Sequence, residues 1–163
     1  MASGDTLAVF KPHDQEWRGS NYARQKTRNH HPTLEFTTVD IGIFSFLLPR
    51  NYSGGGITVY MHYCMVSATT NDIRLNTTFE RIGDQQQDID SDGFDATGVT
   101  GTDTTVPGTS GLVDIISNVH SDGARIDSLA AGESGRLKIT RAAPAGTDAS
   151  GDLQLTMVEL KET

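Results

Sequence analysis

An acidic run in the second half of the sequence has the spacing of a cation-binding loop. Asp88, Asp90 and Asp92 place carboxylates at the first, third and fifth positions, and Gly93 stands at the sixth. In calcium-binding loops several oxygen ligands surround one ion, and a glutamate at position twelve usually completes the ligand set. Position twelve here is Val99, so the motif is broken and a solvated acidic loop is the simpler interpretation. We predict no metal site, and the three aspartates are the only calcium candidate retained.

Histidine and cysteine do not form a recognisable site in this sequence. His30 and His31 are adjacent, and adjacent side chains on an extended chain point in opposite directions, which disfavours chelation of one ion. No cysteine or carboxylate stands at a zinc-binding distance from them. Cys64 is the only cysteine, and a small buried strand residue is the expected role.

The usual catalytic motifs are also missing. No serine lies in a Gly-x-Ser-x-Gly elbow. The run Gly54-Gly55-Gly56 lacks the lysine and the following helix that a phosphate-binding loop needs. Paired carboxylates for glycoside hydrolysis remain open because Asp and Glu are abundant, although they fall mainly in loops. We therefore predict a protein that is not an enzyme and that uses no cofactor.

Charge and hydropathy exclude two classes of partner. The 163 residues have a formal net charge of −8, and an acidic chain is a poor match for nucleic acid. No apolar run approaches the roughly 18 residues that a membrane-spanning helix needs. We predict neither a nucleic-acid nor a membrane partner.

Residues 1–33 are predicted to form an extended N-terminal arm. They carry five Lys/Arg against three Asp/Glu, whereas residues 80–163 carry six against fifteen. The segment shows no sustained helix or strand period, so contact with a partner and local packing as a tail are both open. The candidate contact residues are aromatic or basic. They are Phe10, Trp17, Arg18, Tyr22, Arg24 and Arg28.

Residues 34–163 show the short alternating runs of a β-sandwich domain. The predicted strands cover residues 34–37, 41–48, 57–66, 73–80, 112–119, 136–141 and 153–160. A change of phase within 41–48 predicts a bulge, and residues 126–133 predict one helical turn ended by Gly132. The predicted fold class is all-β, a jelly-roll-like antiparallel β-sandwich with an extended N-terminal arm and at most one short helix.

The clearest alternation follows a turn predicted over residues 49–56. The inward set is Ile57, Val59, Met61 and Tyr63, and the outward set is Thr58, Tyr60, His62 and Cys64. The inward set is apolar and the outward set is mixed, which is typical of a strand in a two-layer β-domain.

The same turn carries a resemblance to a known group of proteins. Residues 48–59 (Leu-Pro-Arg-Asn-Tyr-Ser-Gly-Gly-Gly-Ile-Thr-Val), together with residues 79–81, 129–133, 136–141 and 151–153, look like a set found in small structural proteins of tailed-phage virions. The resemblance implies a jelly-roll head decoration, or cement, protein. Such proteins are commonly trimers on the outer capsid surface.

The resemblance sets the functional expectations. The first is a non-catalytic protein that binds the major capsid protein and its own copies as a homotrimer. It would stabilise the shell from the capsid exterior of the virion, after synthesis in the bacterial host cytoplasm. The alternative is a tail- or head-fibre-associated module whose loops at one end of the sandwich bind a glycan or a host receptor. Tyr52, Tyr60 and Tyr63 are candidates for a stacking surface, although aromatic residues on strands are more often part of the core.

Overall fold

The computed structural model describes residues 3–16, 19–94 and 97–163, which form two antiparallel β-sheets packed face to face. The strands are β1 (Thr6–Phe10), β2 (Arg24–Arg28), β3 (His31–Phe36), β4 (Ile41–Leu47), β5 (Ile57–Met65), β6 (Asp72–Ile82), β7 (Thr104–Thr105), β8 (Asp114–His120), β9 (Ser134–Ala142) and β10 (Leu153–Glu162). The predicted all-β, jelly-roll-like sandwich is confirmed.

The larger sheet is built around β10. Its strand order is β2-β3-β10-β5-β8, and β1 also pairs with β10. Along one edge, β10 pairs first with β3 and then with β1, and along the other edge it pairs with β5. The smaller sheet has the order β4-β9-β6-β7.

The core lies between the sheets and follows the alternation read from the sequence. The inward set of β5, which runs from Ile57 to Tyr63, has no exposed surface. Ile73, Leu75 and Phe79 of β6 are equally buried and face it from the other sheet. Burial of these side chains is the main contribution to stability, at about 1.5–3 kcal/mol for each large apolar residue.

The segment predicted as an arm runs in extended form along the sandwich and pairs with it. Strand β1 pairs with β10, and β2 pairs with β3. Between them, the amide of Glu16 donates a hydrogen bond of 2.8 Å to the carbonyl of Ile43 on β4. The segment thus adds strands to the larger sheet and covers an edge of the smaller one. The division of the chain at residue 33 stays a prediction.

The bulge predicted within residues 41–48 was wrong. Strand β4 pairs with β9 in a regular register from Ile41 to Leu47. The change of phase has another cause, because Ile43 lies opposite Lys138, outside the core, yet is only 2% exposed. Residues 15–16 cover it from the N-terminal segment.

The predicted helical turn is displaced towards the N-terminus. A 3₁₀ turn spans Ala124–Ile126, and another spans Pro12–Asp14. Asp127 and Ser128 adopt φ values of 57° and 56°, a left-handed conformation that ends the turn before residue 132. No helix in the described part of the chain is long and apolar enough to cross a membrane.

Candidate functional site

A groove of about 620 Å³ opens on the outer face of the larger sheet. Residues of β2, β3, β5 and β10 line it, together with residues 11, 12, 111 and 113 of the flanking loops. Its apolar lining is Pro12, Pro32, Val113 and Met157, and its polar lining includes Lys11, Arg28, His31, Thr33, His62 and Thr156. A concave surface with apolar walls and a few convergent polar groups is typical of a ligand site.

One extra residue in β10 shapes this groove. Between Leu155 and Met157, β10 advances two residues while β5 advances one. Leu155 and Val158 are both buried in the core. Thr156 and Met157, which lie between them, therefore both line the groove on the outer face. A β-bulge commonly re-aims side chains in this way.

The sequence contained a signal for this bulge that the prediction missed. Strict alternation would place Met157 in the core and Val158 outside, whereas the structure does the reverse. The apolar residues at 153 and 155 resume at 158 and 160, and this three-residue step marks the change of phase. Reading residues 153–160 as one regular strand left Thr156 and Met157 out of the candidate residues.

Arg28 is fixed at one end of the groove. Its Nη1 donates hydrogen bonds to the carbonyl of Met65 at 2.8 Å and to Oε1 of Gln154 at 3.3 Å. The loop above it approaches closely, since a Cβ added to Gly111 would lie 2.8 Å from Nη2. Gly111 also has a φ of +80°, a conformation that favours glycine. The loop and the guanidinium therefore hold each other in place.

Thr33 brings an unsatisfied hydroxyl to the groove. The residue is only 2% exposed, and Oγ1 has no hydrogen-bond partner among the described residues. A buried hydroxyl left without a partner costs about 1–3 kcal/mol. A bound ligand with a polar atom at this position would supply the missing hydrogen bond.

The described lining of the groove lacks the groups that the catalytic chemistry considered from the sequence would need. Burial raises the pKa of the Cys64 thiol, against a smaller lowering effect of Arg28, so the thiol remains protonated at neutral pH and is a poor nucleophile. No Asp or Glu lines the groove within residues 3–16, 19–94 and 97–163, so the paired carboxylates that glycoside hydrolysis needs are missing there.

The carboxylates of the acidic loop accept hydrogen bonds from backbone amides. Oδ1 of Asp88 accepts the amide of Asp90 at 3.0 Å, and Oδ2 of Asp92 accepts the amide of Asp88 at 2.8 Å. These carboxylates therefore bind the backbone of their own turn. The described residues contain no group of three His, Cys, Asp or Glu side chains arranged to hold a metal.

The predicted contact residues of the N-terminal segment do not form one surface. Arg28 lines the groove, and Arg24 lies exposed on the same strand, outside the lining. Trp17 and Arg18 lie outside the described residues. Contact between a capsid and Arg24 or Arg28 stays a prediction.

Phe10 and Tyr22 pack against the sandwich itself. Phe10 is 5% exposed, and its ring stacks on Phe44 with 5.1 Å between centroids. Phe10 is therefore a core residue, and its selection as a partner contact is corrected. Tyr22 is half-buried and forms a bridge with Ile41 at the start of β4.

The three tyrosines predicted as a stacking surface are separated in the structure. Tyr63 is fully buried, and its hydroxyl lies 3.1 Å from Oδ2 of Asp114, so it cannot stack on a ligand. Tyr60 is half-exposed on the outer face of the larger sheet. Tyr52 lies in the loop before β5, away from both.

Tyr52 has a structural role at that end of the sandwich. Its hydroxyl accepts the amide of Gly56 at 2.8 Å and donates to Oδ1 of Asp122 at 3.1 Å. Burial raises the pKa of Tyr52 to about 12, so the hydroxyl keeps its proton. A shallower hollow of about 330 Å³ opens beside it, lined also by residues 128–131. The turn over residues 49–56 is thus held by hydrogen bonds, in agreement with its interpretation as a structural element.

Comparisons with known proteins identify the fold. No protein-family model matches the sequence, and no curated protein matches it. Solved structures do match. The C-terminal CBM6 of LamC, a marine laminarinase from Zobellia galactanivorans, superposes with a TM-score of 0.54 at 10% identity, over 96% of this chain and 99% of that one. The CBM22-1 xylan-binding domain of Paenibacillus barcinonensis Xyn10C gives 0.54 at 14% identity, over 99% and 96%.

A longer enzyme contains the same fold. The exo-β-1,3-galactanase Pc1,3Gal43A of Phanerochaete chrysosporium gives a TM-score of 0.50 at 12% identity, over 98% of this chain but only 29% of that one. The chain thus spans under a third of the galactanase but nearly the whole of the two separate modules. Identities this low show the fold alone, which is a jelly-roll β-sandwich like that of the two modules. The predicted resemblance to virion proteins gains no support from these structures.

Proposed function

We propose that this protein is a non-catalytic carbohydrate-binding module that binds a glycan in the groove on the outer face of the larger sheet. The observation that carries the proposal is the buried, unpartnered hydroxyl of Thr33 in a groove re-shaped by a bulge in β10. The proposal corresponds to the alternative drawn from the sequence, with the site moved from the loops of the sandwich to a sheet face.

The composition of the groove suits a sugar. Sugar rings present C–H groups on their faces and hydroxyls on their edges. Pro32, Val113 and Met157 offer apolar surface to the faces, and Thr33 and Thr156 offer hydroxyls to the edges. The neighbouring folds support this proposal, because one is a xylan-binding domain and another is a module of a laminarinase.

Titration of the full chain against a panel of neutral and acidic oligosaccharides, by isothermal calorimetry or by NMR shifts, tests the proposal. We expect at least one oligosaccharide to bind and to shift the amide signals of β3, β5 and β10. A panel with no binding partner, or shifts confined to the residue 49–56 end, would overturn the assignment.

The variant Thr33→Val tests the carrying observation. It keeps the shape of the side chain and removes the hydroxyl. Because that hydroxyl has no partner among the described residues, we expect unchanged or slightly higher stability. Glycan affinity should fall about three- to tenfold, the value of one hydrogen bond. Thr140→Val on β9 of the other sheet is the matched control and should bind as the parent does. Full affinity in Thr33→Val would remove the hydroxyl from the site.

A further inference from the structure

The groove differs in charge from the protein as a whole. The chain carries a net charge of −8, yet Lys11, Arg28, His31 and His62 line the groove without any carboxylate among the described residues. A second hollow of about 190 Å³ shares Pro12, Pro32 and Thr33 with it, and adds Lys26 and His13, again without a carboxylate. Cationic lining on an acidic protein concentrates the field at one place.

The carboxylates nearest this region already have partners. Oε2 of Glu35 accepts from Nε2 of Gln154 at 3.1 Å, and Oε1 lies 4.0 Å from Nζ of Lys26. Asp14 accepts the amide of Lys11 at 2.7 Å and lies 3.6 Å from His13. Glu35 offsets Lys26, but within the described residues neither Glu35 nor Asp14 forms an ion pair with Arg28 or with the ammonium group of Lys11.

Arg28 is positioned before any ligand arrives. Its hydrogen bonds go to the carbonyl of Met65 and to the amide oxygen of Gln154, which are neutral acceptors, and no ion pair joins it to a carboxylate of the described residues. A planar guanidinium matches the geometry of carboxylate and sulfate oxygens. Lys11 is exposed at the rim and can follow the ligand as a mobile point charge.

We infer that the groove takes an acidic saccharide, whose carboxylate or sulfate group is bound by Arg28 and Lys11. This inference rests on the proposed function and names the class of glycan that the site selects. The apolar walls and Thr33 bind the sugar ring, and the two cations favour saccharides that carry a negative charge. Neutral glycans of the same skeleton are therefore weaker ligands.

A matched pair of probes tests the charge separately from the sugar. The full chain is titrated with an oligomer of galacturonic acid and with the methyl ester of the same oligomer, which keeps the skeleton and removes the charge. A sulfated galactan oligomer forms the third arm. We expect at least one anionic probe to bind ten or more times tighter than the neutral ester, and its affinity to fall as salt rises from 50 to 300 mM.

The outcomes separate the two claims. Binding of the sulfated probe alone assigns the anion as sulfate, and binding of the galacturonate alone assigns it as carboxylate. Equal affinity for the ester and both acids overturns the acidic class while leaving glycan binding intact. Failure of every probe, together with failure of the neutral panel, overturns the proposed function as well.

Two variants of the groove cations and one control locate the effect. Lys11→Gln should lower the affinity for the anionic probe about three- to tenfold and leave the affinity for the ester unchanged, because Lys11 contributes charge alone. Arg28→Lys keeps the charge but loses the planar fork, and should weaken the anionic probe by a similar factor. Lys161→Gln makes the same change in net charge four residues along β10 from Met157, outside the lining, and should stay within twofold. A loss in Lys161→Gln equal to that in Lys11→Gln would show a general charge effect and overturn the site.

Discussion

Arginines on the outer faces of the two sheets have different kinds of partner. On the smaller sheet, Arg136 bonds Glu16 at 2.7 Å and Glu80 at 2.5 Å, and its guanidinium carbon lies 5.0 Å from the ring centre of Phe94. On the larger sheet, Arg28 bonds neutral oxygens and lines an open groove. On the smaller sheet Arg136 pairs with carboxylates of the chain itself, whereas on the larger sheet Arg28 is the cation that the proposed glycan would meet.

Other pairs on and beside β6, a strand of the smaller sheet, follow the same pattern. Arg74 lies 2.6 Å from Asp103, and Arg81 bonds both oxygens of Glu133 at 2.6 and 2.7 Å. The Arg81 guanidinium holds the pKa of the Glu133 carboxyl below its usual range. Arg74, Arg81 and Arg136 thus each pair with a carboxylate, whereas the described hydrogen-bond partners of Arg28 are neutral groups.

Replacing Arg136 and Arg28 by methionine, one at a time, should give the largest difference between the two faces. In Arg136→Met, Glu16 and Glu80 lose their shared partner in a site where Glu80 is only 7% exposed in its side chain. We expect a loss of about 2–4 kcal/mol in the free energy of unfolding, measured by urea denaturation. Arg28→Met should lose only about 1 kcal/mol, because neutral hydrogen bonds contribute less. Equal losses in the two variants would remove the distinction.

The loop over Arg28 gives the next largest effect. In Gly111→Ala the new Cβ meets Nη2 at 2.8 Å and the residue must hold a φ of +80°. We expect a loss of about 1–2 kcal/mol in stability, together with weaker glycan binding as the guanidinium shifts.

A neighbouring glycine supplies the control for that change. Gly108 lies in the same loop, has open space around its Cβ position and has no positive φ. Gly108→Ala should therefore leave both stability and glycan affinity close to those of the parent, as thermal unfolding and calorimetry would measure. If both alanine variants behave alike, the close approach at Gly111 does not position Arg28.

Buried hydrogen bonds at His120 join the two sheets. Nδ1 of His120 donates to the carbonyl of Arg125 at 3.0 Å, since a carbonyl only accepts, so the neutral ring accepts the hydroxyl of Thr77 at Nε2, 2.8 Å away. Nδ2 of Asn118 donates to Thr77 at 2.9 Å. The side chain of His120 has no exposed surface, and burial lowers its pKa.

This lowered pKa predicts a stability that depends on pH, with the smallest effect of the three. The imidazole of His120 is protonated at about pH 6.5 in the unfolded chain, whereas in the folded chain it stays neutral to a lower pH. The contribution of neutral His120 to the free energy of unfolding is therefore fully present above about pH 6.5. As the pH falls below this value, the contribution decreases by at most about 1.4 kcal/mol per pH unit until the pKa of the folded state is reached.

The variant His120→Gln checks the source of that slope. Glutamine has no titration in this range, so urea denaturation between pH 7 and pH 5.5 should show a slope in the parent that is lost in the variant. A slope that persists in His120→Gln would assign it to other groups. The buried His120 contact between the two sheets would then not be the source of the pH dependence.

The sandwich could be predicted because its core strands alternate regularly. Ile57 to Tyr63 and Ile73 to Phe79 repeat with a period of two, and each apolar set is buried. Local pattern decides these strands because both sheets are antiparallel and each has one buried face. The pattern failed at Ile43, where a distant segment covers an outward side chain, since such cover is a tertiary effect.

The candidate site was harder to predict than the fold. Arg28 was selected for its charge, but Thr33 and Met157 were not selected. The groove joins residues from β2, β3, β5 and β10, which are distant in sequence and adjacent only through strand order. Strand order depends on the whole set of pairings, and no short motif in the chain encodes it.

The central place of β10 has a kinetic consequence. This strand pairs with β1, β3 and β5, and all three precede it by most of the length of the chain. Closing such long loops is slow, so refolding should take milliseconds to seconds rather than microseconds. Until residues 153–162 add to the sheet, the edges of β3 and β5 keep unpaired backbone groups, and the incompletely folded chain is open to pairing with other chains.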